Sequence, residues 1–247
     1  MVLVLLLMGC SPPSNSSSPS ETSSSPVPTS TASQEADDSP VSGAEDAAPF
    51  SQLPQLQGDA TVEVTVQGQT ITLAINGKDA PVTAGNFVDL VDQGVYDGTA
   101  FHRVVREPSP FVVQGGDPQS QDPNFPVQRL GTGSFVDPKT KKPRYIPLEI
   151  LPEGADQAIY SKTLKSAQES SPPKLKHTRG AVAMARSSSP DSASAQFYFT
   201  LADVSFLDGD YAVFGNVTNG MEVVDQIQQG DRIESAKVTS GIENLKR

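Results

Sequence analysis

Phe101-His102-Arg103, followed after a short loop by Phe111-Val112-Val113-Gln114-Gly115-Gly116-Asp117, sets one cation and one amide among apolar residues. An arginine on a mostly apolar strand is costly to bury unless its five donors find partners, so its guanidinium is expected to face a groove that a ligand can reach. Arg103 is therefore the first candidate functional residue. Taken alone, the position suits equally a rim arginine whose stem packs on the sheet.

Outward from this stretch the chain reads as short strands. Val62, Val64 and Val66 alternate with Thr or Glu, and after Gln67-Gly68-Gln69 a second alternation follows at Ile71, Leu73 and Ile75, which predicts an opening hairpin. Thr83 can cap a helix running to about Gln93, with Phe87, Leu90 and Val91 at helical spacing and Gly94 at its stop. Further strands are expected near 111–114, 181–185, 197–201, 212–217 and 233–239, separated by Gly, Asp, Ser and Pro. A second short helix is expected at Met221 to Gln228, ended by Gly230. Short strands at this spacing suggest a closed β structure.

Phe101-His102-Arg103, Phe111 to Asp117, Ala183-Met184-Ala185-Arg186, Ser194-Ala195-Gln196-Phe197-Tyr198-Phe199 and Phe206-Leu207-Asp208-Gly209 to Phe214-Gly215 together resemble the cyclophilin family of peptidyl-prolyl isomerases. The resemblance covers residues 58 to 245, with the motifs in matching order and spacing. It implies a mainly β fold, a closed antiparallel eight-stranded barrel capped by two α-helices. Residues 118 to 176 form a long Pro- and Lys-containing inserted loop region, longer than in compact cyclophilins. With Ala80 to Val88 and Gly230 to Ser235, it makes the chain most similar to cyanobacterial and thylakoid-lumen members. Larger plant lumen members also carry an amino-terminal helical domain, which residues 11 to 57 cannot supply.

The chemistry implied needs no cofactor, metal, nucleophile or general acid. Rotation about an Xaa-Pro bond is slow because amide resonance raises a barrier of roughly 20 kcal/mol. By the resemblance, Arg103 is the catalytic arginine, donating toward the prolyl nitrogen as its lone pair localises in the twisted state. Phe111, Val112, Tyr198 and Leu207 would form the proline pocket, with Phe206 and Tyr211 at its rim. Gln114 would hydrogen-bond the substrate backbone, Ala185 and Arg186 would pair with it through main-chain groups, and Gln196 would orient the site. Phe206, Tyr211 and Tyr198 stand where many eukaryotic members have tryptophan, histidine and phenylalanine, which points to weakened cyclosporin binding more than to lost catalysis. Arg186 replaces a common asparagine. The loop Arg106-Glu107-Pro108-Ser109-Pro110 is longer than the usual Pro-Gly and could shift the pocket. His102 is read as structural, by strand alternation, and His177 as an uninformative residue of a polar loop. Gly115-Gly116 lacks the following helix and Lys-Ser or Lys-Thr pair of a phosphate loop, and Ser187-Ser188-Ser189 lacks the setting of a nucleophile elbow.

Composition bounds the rest. Among 247 residues, the first quarter has too few large apolar side chains for a core, so one folded domain over 58–247 is expected, with 11–57 as a disordered Ser/Pro/Thr-rich linker. The net charge of −11 argues against a nucleic-acid partner. Residues 1–10 read as a signal-peptide h-region ending in Leu7-Met8-Gly9-Cys10, which resembles a bacterial lipobox with Cys10 as the lipidated residue. Cys10 is the single cysteine, so no disulfide forms within the chain. The expectation is an extracytoplasmic monomer, lipid-anchored on the periplasmic side or in the thylakoid lumen. It would touch the membrane through the anchor only and act on proline-containing unfolded or partly folded proteins. The rival reading is a catalytically weak proline-peptide-binding chaperone or assembly factor for a membrane complex.

Overall fold

The alternation at residues 60–66 and 71–75 builds the first wall of the fold. Ala60, Val62, Val64 and Val66 are buried while Thr61, Glu63 and Thr65 are not, and Ile71, Leu73 and Ile75 face the same interior. Val66 pairs with Gln69, so Gln67 and Gly68 form the two-residue turn, with φ of 50° and 71°. Positive φ at both positions is what a tight hairpin of right-handed twist requires.

The computed structural model describes residues 50–247. The signal segment and lipobox expected at 1–10, Cys10 included, and the linker up to residue 49 lie outside the described residues. In chain order the elements are β1 (Gln55–Leu56), β2 (Asp59–Val66), β3 (Gln69–Asn76), α1 (Pro81–Asp92), β4 (Arg103–Val105), β5 (Val112–Gly115), β6 (Glu149–Ile150), β7 (Ile159–Tyr160), β8 (Ala181–Met184), β9 (Phe197–Thr200), β10 (Val213–Asn219), α2 (Met221–Gln226), β11 (Ile233–Ser240) and β12 (Leu245–Lys246).

Eight strands form one antiparallel sheet in the order β11-β2-β3-β10-β8-β9-β5-β4. The strand count and the two helices agree with the expected cyclophilin-like architecture. The sheet is a curled one whose edge strands β4 and β11 share no ladder. An isolated Ala100–Arg232 bridge, with Phe101 N–H donating to Asp231 O at 2.8 Å, joins the segments just before them.

Helix α1 begins at Pro81, not at a Thr83 cap. Ala80 in the cap position has no side-chain acceptor, and the carboxylate of Glu149 takes its place, accepting Val82 N–H at 3.1 Å and Thr83 N–H at 2.8 Å. All residues from Val82 to Val91 are buried, so the helix is a plug rather than a surface element. The Phe87 ring lies 5.2, 5.3 and 5.0 Å from those of Tyr96, Phe197 and Phe214, which makes the helix the centre of the apolar core. Helix α2 stops at Gln226, two residues short of the predicted end.

Residues 50–57 belong to the fold and not to the linker. Gln55 and Leu56 pair with Lys246 and Leu245, Leu56 is fully buried, and the Phe50 ring packs 5.0 Å from that of Tyr160. The backbone of Pro54 and Gln55 crosses α1 so closely that a Cβ on Gly85 would lie 2.5 Å from Gln55 Cα. The 118–176 region is likewise built. It carries short 3-10 turns at Pro118–Gln121 and Val127–Arg129, the β6–β7 pair, and a small core of Leu148, Ile150 and Leu164 against Ala212.

Candidate active site

Strand register puts the candidate residues in one row on the outer face of the curled sheet. Arg103 pairs with Gln114, Gln114 with Tyr198, and Tyr198 with Ala183. The next residues along, Val113, Phe199 and Val182, face the core, as the two-residue pleat demands. A second apolar cluster gathers on the outer face from Val112, Tyr198, Ala183 and Val213, packed by Phe111, Ala185, Leu207 and Tyr211.

This cluster hollows into a cavity of about 230 Å³ lined by Arg103, Phe111, Val112, Gln114, Ala185, Arg186, Tyr198, Leu207 and Tyr211. Eight of these come from the sequence reading as substrate-facing and the ninth, Arg103, as catalytic. Phe206 does not line the cavity. It is 70% exposed at the edge, its ring 5.7 Å from that of Phe111 and inclined by 23°. The loop before Phe111 is tied back by Arg106, whose guanidinium donates to Val224 O and Asp225 O at 3.3 and 2.7 Å, the carbonyl end of α2.

Arg103 is exposed, with its guanidinium carbon 5.5 Å from the Phe111 ring centre and Nη1 donating to Gln114 Oε1 at 3.3 Å. Gln114 Nε2 donates to Gln196 Oε1 at 3.3 Å, and Gln196 Nε2 to Gly133 O at 2.8 Å. The chain of amides sets which end of Gln114 meets the arginine and leaves most guanidinium N–H groups free for a ligand. Arg186 is held through its own side chain. Nε and Nη2 donate to Asp210 O at 2.9 and 2.7 Å, and the guanidinium lies 4.8 Å over the Tyr211 ring. The Ala185 N–H is taken by Gln196 O at 2.9 Å.

Two features escaped the sequence. The first is an adjoining cavity of about 440 Å³ that shares Gln114, Ala185 and Arg186 with the smaller one and is walled by Gln196, Gly131 to Ser134, Tyr145, Ser187 and Asp191. Its wall depends on buried Asp117, whose carboxylate accepts the N–H groups of Gln119, Gly131 and Gly133 at 2.9, 2.6 and 3.2 Å. A Cβ on Gly133 would lie 2.0 Å from Asp117 Oδ1, so only glycine fits there. The sequence signal was Gly131-Thr132-Gly133 itself.

The second is His177, which is no bystander of a polar loop. It is buried, its Nδ1 2.8 Å from Asp208 Oδ1 and its Nε2 3.0 Å from the Tyr198 hydroxyl. Burial pushes its pKa below the ordinary histidine value although Asp208 opposes the shift, and burial raises that of Tyr198. Burial likewise lowers that of His102, whose ring lies against the Gly131 turn.

The pattern of the family described as cyclophilin type peptidyl-prolyl cis-trans isomerase matches residues 61–246. A Synechocystis protein bearing the name of a thylakoid lumen peptidyl-prolyl cis-trans isomerase is 41% identical over 206 residues, covering 79% of this chain and 51% of its own length. A chloroplastic peptidyl-prolyl cis-trans isomerase of Arabidopsis thaliana is 36% identical over 217 residues, covering 79% of this chain and 46% of its own length. The chain thus spans about half of each of these relatives. Peptidyl-prolyl cis-trans isomerase A of Dickeya dadantii is 36% identical over 173 residues, which cover 68% of this chain and 70% of that protein. The crystal structure of a cyclophilin type isomerase of Cryptosporidium parvum superposes with a TM-score of 0.54 at 22% identity, covering 74% of this chain and 98% of that one, a likeness of fold.

Proposed function

The chain belongs to the cyclophilin-type peptidyl-prolyl cis-trans isomerases, and from that premise we propose that it accelerates Xaa-Pro isomerisation during folding of extracytoplasmic proteins, with Arg103 as the catalytic residue. The observation that carries this reading is the meeting of an exposed guanidinium with an apolar cavity of about 230 Å³ floored by Val112 and Tyr198. The cavity takes the proline ring. The guanidinium then stands at the amide that joins it to the preceding residue.

As that amide twists, resonance is lost and the lone pair localises on the prolyl nitrogen. An N–H donor aimed at this nitrogen stabilises the twisted state and gains little from the planar one, which is the differential binding that catalysis requires. The stacking on Phe111 and the Gln114 contact hold the donor before substrate arrives, so little reorganisation is left to the reaction. Gln114 and the Ala185–Arg186 main chain hold the substrate backbone, Leu207 and Tyr211 close the cavity wall, Phe206 covers its edge, and Gln196 orients Gln114.

The extracytoplasmic setting rests on the thylakoid lumen and chloroplast named for two relatives and on the lipobox-like ending at Cys10, which would be acylated and hold a monomeric domain at the membrane surface. Mass measurement of membrane-extracted protein tests the anchor. Magnetisation exchange between cis and trans forms of a short Xaa-Pro peptide, followed by NMR with the full chain and its Arg103→Ala variant, tests the activity. Acceleration that collapses in the variant supports the proposal. Binding without acceleration would turn the reading to a proline-recognition chaperone or assembly factor.

A further inference from the structure

Tyr198 exposes only 5% of its surface, so its hydroxyl is a polar group at the buried end of a ring that floors the cavity. Such a group needs a partner. The partner is the imidazole of His177, with ring centres 6.0 Å apart, planes inclined by 13° and Nε2 3.0 Å from the hydroxyl.

Which of the two donates follows from the other side of the imidazole. Asp208 Oδ1 accepts the His177 backbone N–H at 2.8 Å and lies 2.8 Å from Nδ1. A carboxylate only accepts, so Nδ1 carries the hydrogen, and in a neutral imidazole Nε2 is then an acceptor. The Tyr198 hydroxyl donates to it.

The same histidine also holds the cavity wall. Its carbonyl accepts Val204 N–H at 2.9 Å, and Asp208 directly follows the 3-10 turn Ser205–Leu207 that brings Leu207 to the cavity and Phe206 to its edge. One buried side chain therefore joins the floor, through Tyr198, to the wall, through Asp208. Rotation about a peptide bond moves no proton, so this relay is left with a geometric task.

On the reading of this cavity as the prolyl pocket, we propose that His177 is a positioning residue. As the Nδ1–H tautomer locked by Asp208, it receives the Tyr198 hydroxyl and fixes the ring against which the proline packs.

The test uses the full chain. Long-range ¹H–¹⁵N spectra at neutral pH should show His177 protonated at Nδ1 and bare at Nε2, and Tyr198→Phe should move the Nε2 resonance while leaving Nδ1 protonated. Peptide affinity and exchange rate are then measured for the wild type, Tyr198→Phe, His177→Ala and the double variant. His177→Ala leaves a buried hydroxyl without a partner and should weaken Xaa-Pro peptide binding about tenfold. In the Tyr198→Phe background, where no hydroxyl remains, the same change should cost less than about threefold. Equal losses in the two backgrounds, or a protonated Nε2, overturn the proposal. Should His177→Ala fail to fold, the tautomer and its response to Tyr198→Phe still decide it. A wild-type chain that neither binds nor accelerates removes the isomerase reading itself, an outcome distinct from an active wild type with uncoupled variants.

Discussion

Glu149 Oε2 accepts the backbone N–H of Thr83 at 2.8 Å from 66 residues further along the chain. Its other oxygen accepts the Val82 N–H at 3.1 Å and the Tyr160 hydroxyl at 2.9 Å. A carboxylate is thus set at the positive end of the central helix, inside the protein, where the inserted segment supplies the cap that Ala80 lacks. Burial raises the carboxyl pKa, and these three donors oppose that shift. Glu149→Ala strands two N–H groups away from water and should cost about 2 kcal/mol. Urea denaturation checks this, and an unchanged midpoint would mean that the helix start does not need the carboxylate.

Asp89 on α1 takes Arg144 Nη1 at 2.7 Å and Arg247 Nε at 2.6 Å, but the two pairs are unequal. The Arg144 side chain is 12% exposed and that of Arg247 52% exposed, against 2% for Asp89. Asp89→Asn leaves the Arg144 cation buried without a counter-charge and should cost about 3 kcal/mol. Arg247→Ala removes its pair with Asp89 and a second, exposed one with Asp92, both of which water already screens, and should cost about 0.5 kcal/mol. Similar losses for both variants would show that burial does not separate the pairs.

Much of this was legible in the sequence because the outer row of the site is local in register. Arg103, Gln114 and Tyr198 sit on neighbouring strands, and the pleat alone puts them on one face. The hairpin at 59–76 was legible because alternation and turn chemistry agree. What escaped reading depends on contacts distant in sequence. Thr83 looked like a cap because Glu149 is invisible from position 83. His177 looked idle because its partners lie 21 and 31 residues away. Residues 50–57 looked like linker because Leu56 is buried against β12 and α1, both distant from it in sequence. The second cavity was hidden in a segment whose walls are set by Asp117 reaching forward 14 to 16 residues.

Arg103 and Gln114 touch through a single long hydrogen bond of 3.3 Å, so the arginine owes its place mainly to Phe111. Arg103→Lys keeps the charge but loses the planar fork and its stacking on the ring. The exchange rate at saturating peptide should fall about 100-fold, while peptide affinity changes by less than about threefold. A lysine variant with near wild-type turnover would show that charge alone suffices and that donor geometry at the prolyl nitrogen is not the source of acceleration.

His177 also predicts how stability responds to acid. Burial holds its pKa below the ordinary value near 6.5, so the folded chain keeps the imidazole neutral where the unfolded chain would protonate it. Above pH 6.5 neither state binds the proton and the difference vanishes. Below it the unfolded state binds more protons, so stability is lost as pH falls, by up to about 1.4 kcal/mol per pH unit, until the folded-state value is passed. His102 acts in the same sense and Glu149, with its raised carboxyl, in the opposite one. Comparing wild type with His177→Gln cancels both. The stability of the wild type relative to the variant should be constant above pH 7 and decline as the pH falls below 6.5. A difference that stays flat below pH 6.5 would mean that the imidazole titrates in the folded protein as it does in the unfolded chain, and that burial does not outweigh Asp208 in holding it neutral.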